Sequence, residues 1–188
     1  MPEKPVERAG RSEGMFDMST TLLLPAAISF VVVSLASYTD LKKRVISNRL
    51  TYPAIAFGVV FYAVLGVLRW DPFLAISGAL GASVAFAVGY IMWVTHSWAG
   101  GDVKLLTALG AMLPFYGSAP YPFSITVLLN GILVTTPVLA VYLLLCRVRN
   151  HRAKREFSFA PSLAAGTFAG VIFGDLFWKM LIAVGGGP

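Results

Sequence analysis

Long apolar stretches, separated by short polar segments, run through most of this chain. Five of them approach the length of about 20 residues that a helix needs to cross the hydrocarbon layer of a membrane. They cover residues 20–38, 52–68, 73–95, 123–146 and 159–184. A sixth stretch, residues 102–116, would extend only about 22 Å as a helix, at roughly 1.5 Å per residue. The pattern predicts five spanning helices and one short helix whose place the hydropathy alone leaves open.

The composition excludes a soluble domain. Hydrophobic residues make up 57% of the 188 residues and charged residues 13%, whereas soluble domains carry about 25% charged residues. So few charges cannot cover a water-facing surface, and the single cysteine, Cys146, cannot form a disulfide scaffold. The chain is therefore predicted to be an all-α polytopic membrane protein that has membrane lipids as partners.

The positions of the basic residues indicate the orientation. They produce a net charge of +6 and gather in one loop after the first stretch and another before the last. The first loop carries Lys42, Lys43, Arg44 and Arg49, and the second carries Arg147, Arg149, Arg152, Lys154 and Arg155. Cytoplasmic loops are enriched in Lys and Arg, so both loops are expected inside. An even number of crossings must then separate them, which requires the short stretch to cross as well.

This reasoning predicts six transmembrane helices with both termini outside, in a multi-pass protein of the plasma membrane. Because topology explains the positive charge, no nucleic-acid partner is expected. Residues 1–19 mix acidic and basic side chains and are predicted to be a disordered extracellular tail. Residues 20–184 would form the six-helix domain, and residues 185–188 a short C-terminal tail.

Acidic residues at membrane depth are the candidates for chemistry, since an ionisable group there is costly and usually functional. Three of the nine acidic residues qualify: Asp40 ends the first stretch, Asp102 opens the short one, and Asp175 lies in the last. By the charge argument Asp40 and Asp102 both lie at the cytoplasmic face. Asp175 lies in the outer half and is expected to pair with Lys179, four residues on.

Two carboxylates in one site do not both ionise readily, so one keeps its proton while the other stays charged. Such a pair can activate a water molecule and protonate a peptide carbonyl without a metal or cofactor, and none is expected here. Gly100 and Gly101, directly before Asp102, would let a substrate backbone or a facing helix approach closely. The alternative is that both aspartates only cap helices or balance nearby lysines. The sequence contains neither a His-Glu-x-x-His zinc motif nor a Gly-x-Ser-Gly nucleophile motif.

Three segments resemble a known family. Residues 99–104, Ala-Gly-Gly-Asp-Val-Lys, resemble the Gly-x-Gly-Asp signature of the type IV prepilin peptidases, with Ala99 in place of the usual first glycine. Asp40 with its basic neighbours, followed by Asn48, resembles the first catalytic aspartate motif of the same family. Phe159-Ala160-Pro161 is similar to the family's C-terminal proline motif.

The resemblance implies a membrane aspartic endopeptidase with Asp40 and Asp102 as catalytic residues, supported by Gly100, Gly101, Lys104, Asn48 and Pro161. The implied substrates are prepilin or preflagellin (archaellin) precursors, cut after a short basic leader at the cytoplasmic face. Lys104, two positions after Asp102, is expected to point away from it, toward headgroups or the neighbouring loop. With one cysteine, the chain is similar to the short branch of the family, whose members cleave without methylating. That branch includes archaeal preflagellin and prepilin peptidases, which the chain resembles more, and small tight-adherence pilus enzymes of bacteria.

Two other functions remain open on the sequence. A presenilin-like intramembrane protease shares the Gly-Asp motif, although it would place a Tyr-Asp pair on the partner helix, and here Thr39 separates Tyr38 from Asp40. A small proton-linked transporter would use one aspartate as a relay, usually near the midplane of the bilayer.

Overall fold

The computed structural model describes the backbone of residues 10–115, 122–148, 159–174 and 176–185. Within that part the regular structure is entirely α-helical, as predicted. The helices are α1 (Gly10–Lys43), α2 (Asn48–Arg69), α3 (Pro72–Val94), α4 (Gly100–Met112), α5 (Phe123–Val148), α6 (Ala160–Phe173) and α7 (Leu176–Gly185).

Among the described residues, three helical segments are long and apolar enough to cross a membrane: Leu22–Lys43, Asn48–Arg69 and Pro72–Val94, with mean hydropathy of 1.9, 1.9 and 1.8. Shorter apolar segments lie in α5 and α6, at Phe123–Pro137 and Ala160–Phe173. The length and hydropathy of these helices agree with the prediction of a membrane protein. The count of six spans and the orientation remain predictions, and most of the second basic loop, residues 149–158, lies outside the described residues.

Helix α4 lies at the centre of the described fold, packed mainly against α2 and α3. Its residues from Leu105 to Met112 are all buried. The approach is close because glycines line it: a Cβ atom added at Gly58 would lie 2.5 Å from the carbonyl carbon of Ala111, and one at Gly81 would overlap the Gly110 carbonyl oxygen. Small residues allow such backbone contact between helices in lipid. The short helix is therefore enclosed by protein on most sides.

The last apolar stretch differs from the prediction, because the structure divides it into α6 and α7. The break falls at Gly174, whose backbone angles of φ 74° and ψ −152° do not belong to a helix. The side-chain amide of Asn130 in α5 donates to the Gly174 carbonyl at 3.1 Å, which satisfies a group that the break removes from the helix. Asp175 lies outside the described residues, so its expected pairing with Lys179 stays a prediction. Lys179 donates to the Phe173 carbonyl at 2.7 Å.

The first helix also begins earlier than the hydropathy indicates. The structure starts α1 at Gly10, within the stretch 1–19 that was predicted to be disordered. Once the apolar segment has formed a helix, each preceding residue adds one hydrogen bond at little cost, so the helix can extend into a polar segment. Residues 1–9 and 186–188 lie outside the described residues, and the division into domains remains a prediction.

Candidate active site

Asp40 lies in the last turn of α1 and is only 9% exposed. Its carbonyl accepts the Arg44 backbone N–H at 2.8 Å. Arg44 has φ 52°, in the left-handed region that commonly ends a helix. Helix α1 therefore ends at Lys43, within one turn of Asp40. The chain then turns to Ser47, which caps α2 by accepting the Arg49 backbone N–H.

Asp102 is the third residue of α4 and is 6% exposed. Its carboxylate accepts the Ala99 backbone N–H at 3.3 Å, and its own N–H donates to the Ala99 carbonyl at 3.1 Å. A carboxylate is favourable at this end of a helix because the unpaired N–H groups carry partial positive charge. Asp102 therefore does cap its helix, and the same contact holds its carboxylate in a defined place.

The two carboxylates line one cavity of about 190 Å³. They are close enough for their charges to act on each other. The loop after α1 and the first turn of α4 form its walls. The other lining residues are Arg44, Val45, Ile46, Ala99, Gly101 and Lys104. The tertiary structure thus brings together the two aspartates that the sequence singled out.

The two glycines before Asp102 have different surroundings. A Cβ atom at Gly101 would lie 3.1 Å from the Cβ of Ile46, so this glycine lets the α1–α2 loop pack against α4. A Cβ atom at Gly100 would meet no other part of the described chain within 4 Å. The sequence suggested that both glycines allow close approach of a facing helix or of a substrate. Among the described residues, the α1–α2 loop approaches Gly101, whereas Gly100 leaves room for a substrate.

Lys104 connects α4 to the start of α2. Its ammonium group donates to the Asn48 Oδ1 atom at 2.9 Å and lies 5.4 Å from the centre of the Tyr52 ring. This contact agrees with the expected fixing of the loop. Lys104 also lines the cavity that holds Asp102. Its ammonium group reaches the start of α2, a contact that spacing along α4 does not reveal.

Pro161 lies in the first turn of α6, where a missing backbone N–H is tolerated. The residues before it attach α6 to the site. The Ser37 hydroxyl, one turn before Asp40, donates to the Ala160 carbonyl at 3.1 Å. The ring of Phe159 packs on Trp98 with 4.5 Å between ring centres. Sequence reasoning missed both Ser37 and Trp98, although the position of Trp98 directly before the motif was a usable signal.

Within the described part of the chain, no three side chains of His, Cys, Asp or Glu come together as a site for a metal ion. The chemistry available to this cavity from its own side chains is acid–base chemistry by two carboxyl groups, with Arg44 and Lys104 as the neighbouring cations.

Comparison with known proteins gives one consistent result. Residues 27–141 match the type IV leader peptidase family. The chain is 40% identical over 134 residues to the prepilin peptidase EppA of Methanothermobacter thermautotrophicus, which covers 64% of this chain and 35% of that protein. It is 32% identical over 93 residues to the preflagellin peptidase of Methanocaldococcus jannaschii, covering 47% of this chain and 39% of that protein. It is 27% identical over 156 residues to the prepilin leader peptidase/N-methyltransferase of Bacillus subtilis, covering 81% of this chain and 57% of that protein. The matches thus span between 35% and 57% of the length of these relatives.

Proposed function

The chain belongs to the type IV leader peptidase family, and on this basis we propose that it is a membrane-embedded aspartic endopeptidase. Its substrates would be prepilin-like or preflagellin precursors, from which it removes the short basic leader. The names of the two archaeal relatives, a prepilin peptidase and a preflagellin peptidase, support this substrate class.

The observation that carries the proposal is the placement of two buried carboxylates, Asp40 and Asp102, in one cavity. When two carboxyl groups share a site, one tends to hold a proton while the other is ionised. The ionised group takes a proton from a water molecule as the water oxygen attacks the peptide carbon. The protonated group gives its proton to the carbonyl oxygen. When the tetrahedral intermediate collapses, the C–N bond breaks and the proton taken from water passes to the leaving amine. One hydroxyl of the intermediate returns a proton to the carboxylate that had protonated the carbonyl oxygen, which restores the dyad.

The open side of Gly100 supports a path for the substrate. Among the described residues, no atom beyond the chain neighbours and the backbone of α4 itself lies within 4 Å of a Cβ position at Gly100, which lies two residues before Asp102. An extended peptide needs its main chain close to the carboxyl groups, and a glycine allows that approach. We assign this side of the α4 N-terminus to the substrate.

We further propose six membrane crossings, with α6 and α7 together making the last, both termini outside and the dyad at the cytoplasmic face. The basic residues at the same end of the fold as the dyad support this orientation; they are Lys42, Lys43, Arg44, Arg49 and Lys104. With 13 residues, α4 would cover only about 20 Å. Because α4 is buried among other helices, it can be shorter than the hydrocarbon layer is thick. Asp102 at its start would then lie slightly beneath the headgroups. Labelling of Ser47→Cys by a membrane-impermeant thiol reagent only from the cytoplasmic side would agree with this orientation.

The cleavage reaction is proposed to leave the new N-terminus unmethylated, as the names of the two archaeal relatives mention peptidase activity alone. The mass of the mature substrate's N-terminal peptide after incubation with S-adenosylmethionine tests this. An added methyl group in the product would refute it.

The deciding experiment compares three substitutions of the same kind in membranes that contain a precursor. Asp40→Asn and Asp102→Asn should each lower cleavage by at least about 100-fold, since each removes one acid–base group. Asp71→Asn is the matched control, because Asp71 caps α3 by accepting the Leu74 N–H and lines neither wall of the dyad cavity. Protein level in the membrane should stay normal in all three. Cleavage at the wild-type rate by either dyad variant would exclude the dyad mechanism.

A further inference from the structure

A second cavity lies beside the dyad cavity, between the end of α1 and the start of α2. Its volume is about 570 Å³, and its polar lining includes Lys43, Ser47 and Arg49. It shares Val45 and Ile46 with the dyad cavity. The same short loop therefore contributes to the walls of both cavities.

Within the part of the chain that the structure describes, the positive charge of this cavity has no acidic counterpart, because no acidic residue lines it. Lys43 and Arg49 are exposed, and among the residues that the structure describes their side chains form no hydrogen bond or ion pair. The Ser47 hydroxyl accepts the Arg49 backbone N–H and keeps its own proton to donate. The cavity thus offers two cations and one hydroxyl donor, a set that suits a phosphate group.

The depth of the cavity indicates where such a phosphate comes from. It lies between the ends of two segments that can cross a membrane, Leu22–Lys43 and Asn48–Arg69. The ends of spanning helices lie at the level of the lipid headgroups. Large apolar side chains beside the cavity are exposed, among them Leu41, Val45 and Tyr52, and they offer a surface for acyl chains.

We propose that this cavity binds the phosphate of an anionic phospholipid. Lys43 and Arg49 contact the phosphate, and the acyl chains lie along the exposed apolar side chains of the adjoining helix ends. The bound lipid packs against Val45 and Ile46 and so supports the loop that also forms a wall of the dyad cavity. This proposal does not depend on the peptidase function, because it concerns lipid binding alone.

Native mass spectrometry of the detergent-solubilised full chain tests the proposal. The protein is titrated with phosphatidylglycerol or phosphatidylcholine, and the Kd of the first bound lipid is measured. A Lys or Arg near an anionic headgroup contributes roughly a fivefold change in affinity. The Lys43→Gln/Arg49→Gln variant should therefore bind phosphatidylglycerol at least about tenfold more weakly than wild type. Its affinity for phosphatidylcholine should stay unchanged.

Lys42→Gln is the matched control. It removes the same charge from the neighbouring position, but Lys42 lies outside the cavity and contacts Tyr38. It should change the Kd for phosphatidylglycerol less than about twofold, because its charge acts only at a distance. An effect as large as that of the double variant would show diffuse attraction to a basic surface and overturn the proposal. Equal affinity of wild type for both lipids would overturn it as well.

Inorganic phosphate separates the lipid from a soluble ligand. It should not displace phosphatidylglycerol at millimolar concentration, since it lacks acyl chains. Displacement at that concentration would assign the cavity to a soluble phosphate compound and refute the lipid. Thermal melting controls for folding. If the double variant does not fold, Lys43→Gln and Arg49→Gln are tested singly, and each should weaken binding about fivefold.

Discussion

Gly100 and Gly101 allow the substrate path to be tested separately from the packing of the fold. A methyl group at Gly100 enters space in which no other part of the described chain lies within 4 Å, so Gly100→Ala creates no clash there. Alanine favours a helix over glycine by up to about 1 kcal/mol. The melting temperature should therefore stay the same or rise by up to about 4 °C. If a peptide passes this residue, the same methyl group displaces it, and kcat/KM should fall by at least about tenfold.

Gly101→Ala is the internal comparison. Its Cβ would lie 3.1 Å from the Ile46 Cβ and 3.4 Å from two further atoms of that side chain. Overpacking of this kind costs about 1–3 kcal/mol. Part of that cost is offset by the better helix propensity of alanine, so the net loss should be about 0–2 kcal/mol. The melting temperature should then fall by up to about 8 °C, with a loss of activity because Ile46 also lines the dyad cavity.

The assay combines thermal melting of the purified protein in detergent with the initial rate of precursor cleavage. The two variants should differ: Gly100→Ala should be as stable as wild type but cleave slowly, and Gly101→Ala should be less stable. Wild-type kcat/KM in Gly100→Ala would refute a substrate path along this side of α4. A clearly lower melting temperature in Gly100→Ala would mean that the open space is filled by part of the protein.

Other expectations concern the residues that hold the site in place. Lys104→Ala removes the exposed hydrogen bond to Asn48 and should lower the free energy of unfolding by only about 0.5–1 kcal/mol. Because the loop is then held less firmly, kcat/KM should fall about two- to fivefold. Full activity would mean that Lys104 has no part in positioning the site. Trp98→Ala removes a partly buried ring that packs on Phe159 and should destabilise the protein by up to about 3 kcal/mol. Trp93, which is 49% exposed, should tolerate alanine better in the same melting experiment. Asn130→Leu leaves the Gly174 carbonyl without its side-chain donor and should cost about 1–3 kcal/mol, measured by melting; an unchanged melting temperature would mean that water replaces the amide.

The helical class and the candidate carboxylates followed from local features. In lipid, a long apolar segment can form hydrogen bonds with all its backbone N–H and C=O groups only as a helix. Hydropathy alone therefore predicted α1, α2 and α3. Asp40 and Asp102 stood out because few charges occur near apolar segments, and the residues around them carried the family resemblance that the match over residues 27–141 confirms. Their catalytic role is a proposal that rests on both.

Contacts between distant segments were decided by the tertiary structure alone. Helix α4 is apolar on nearly every side, so its sequence offers no face that predicts its neighbours. Only the packing shows that Gly101 faces Ile46 while Gly100 faces open space, and that Lys104 reaches Asn48. The break at Gly174 was hidden as well, because the donor that satisfies it, Asn130, lies on another helix. The pattern of apolar residues indicates which side chains of a segment can be buried. Which atoms surround those side chains depends on how separate helices pack together.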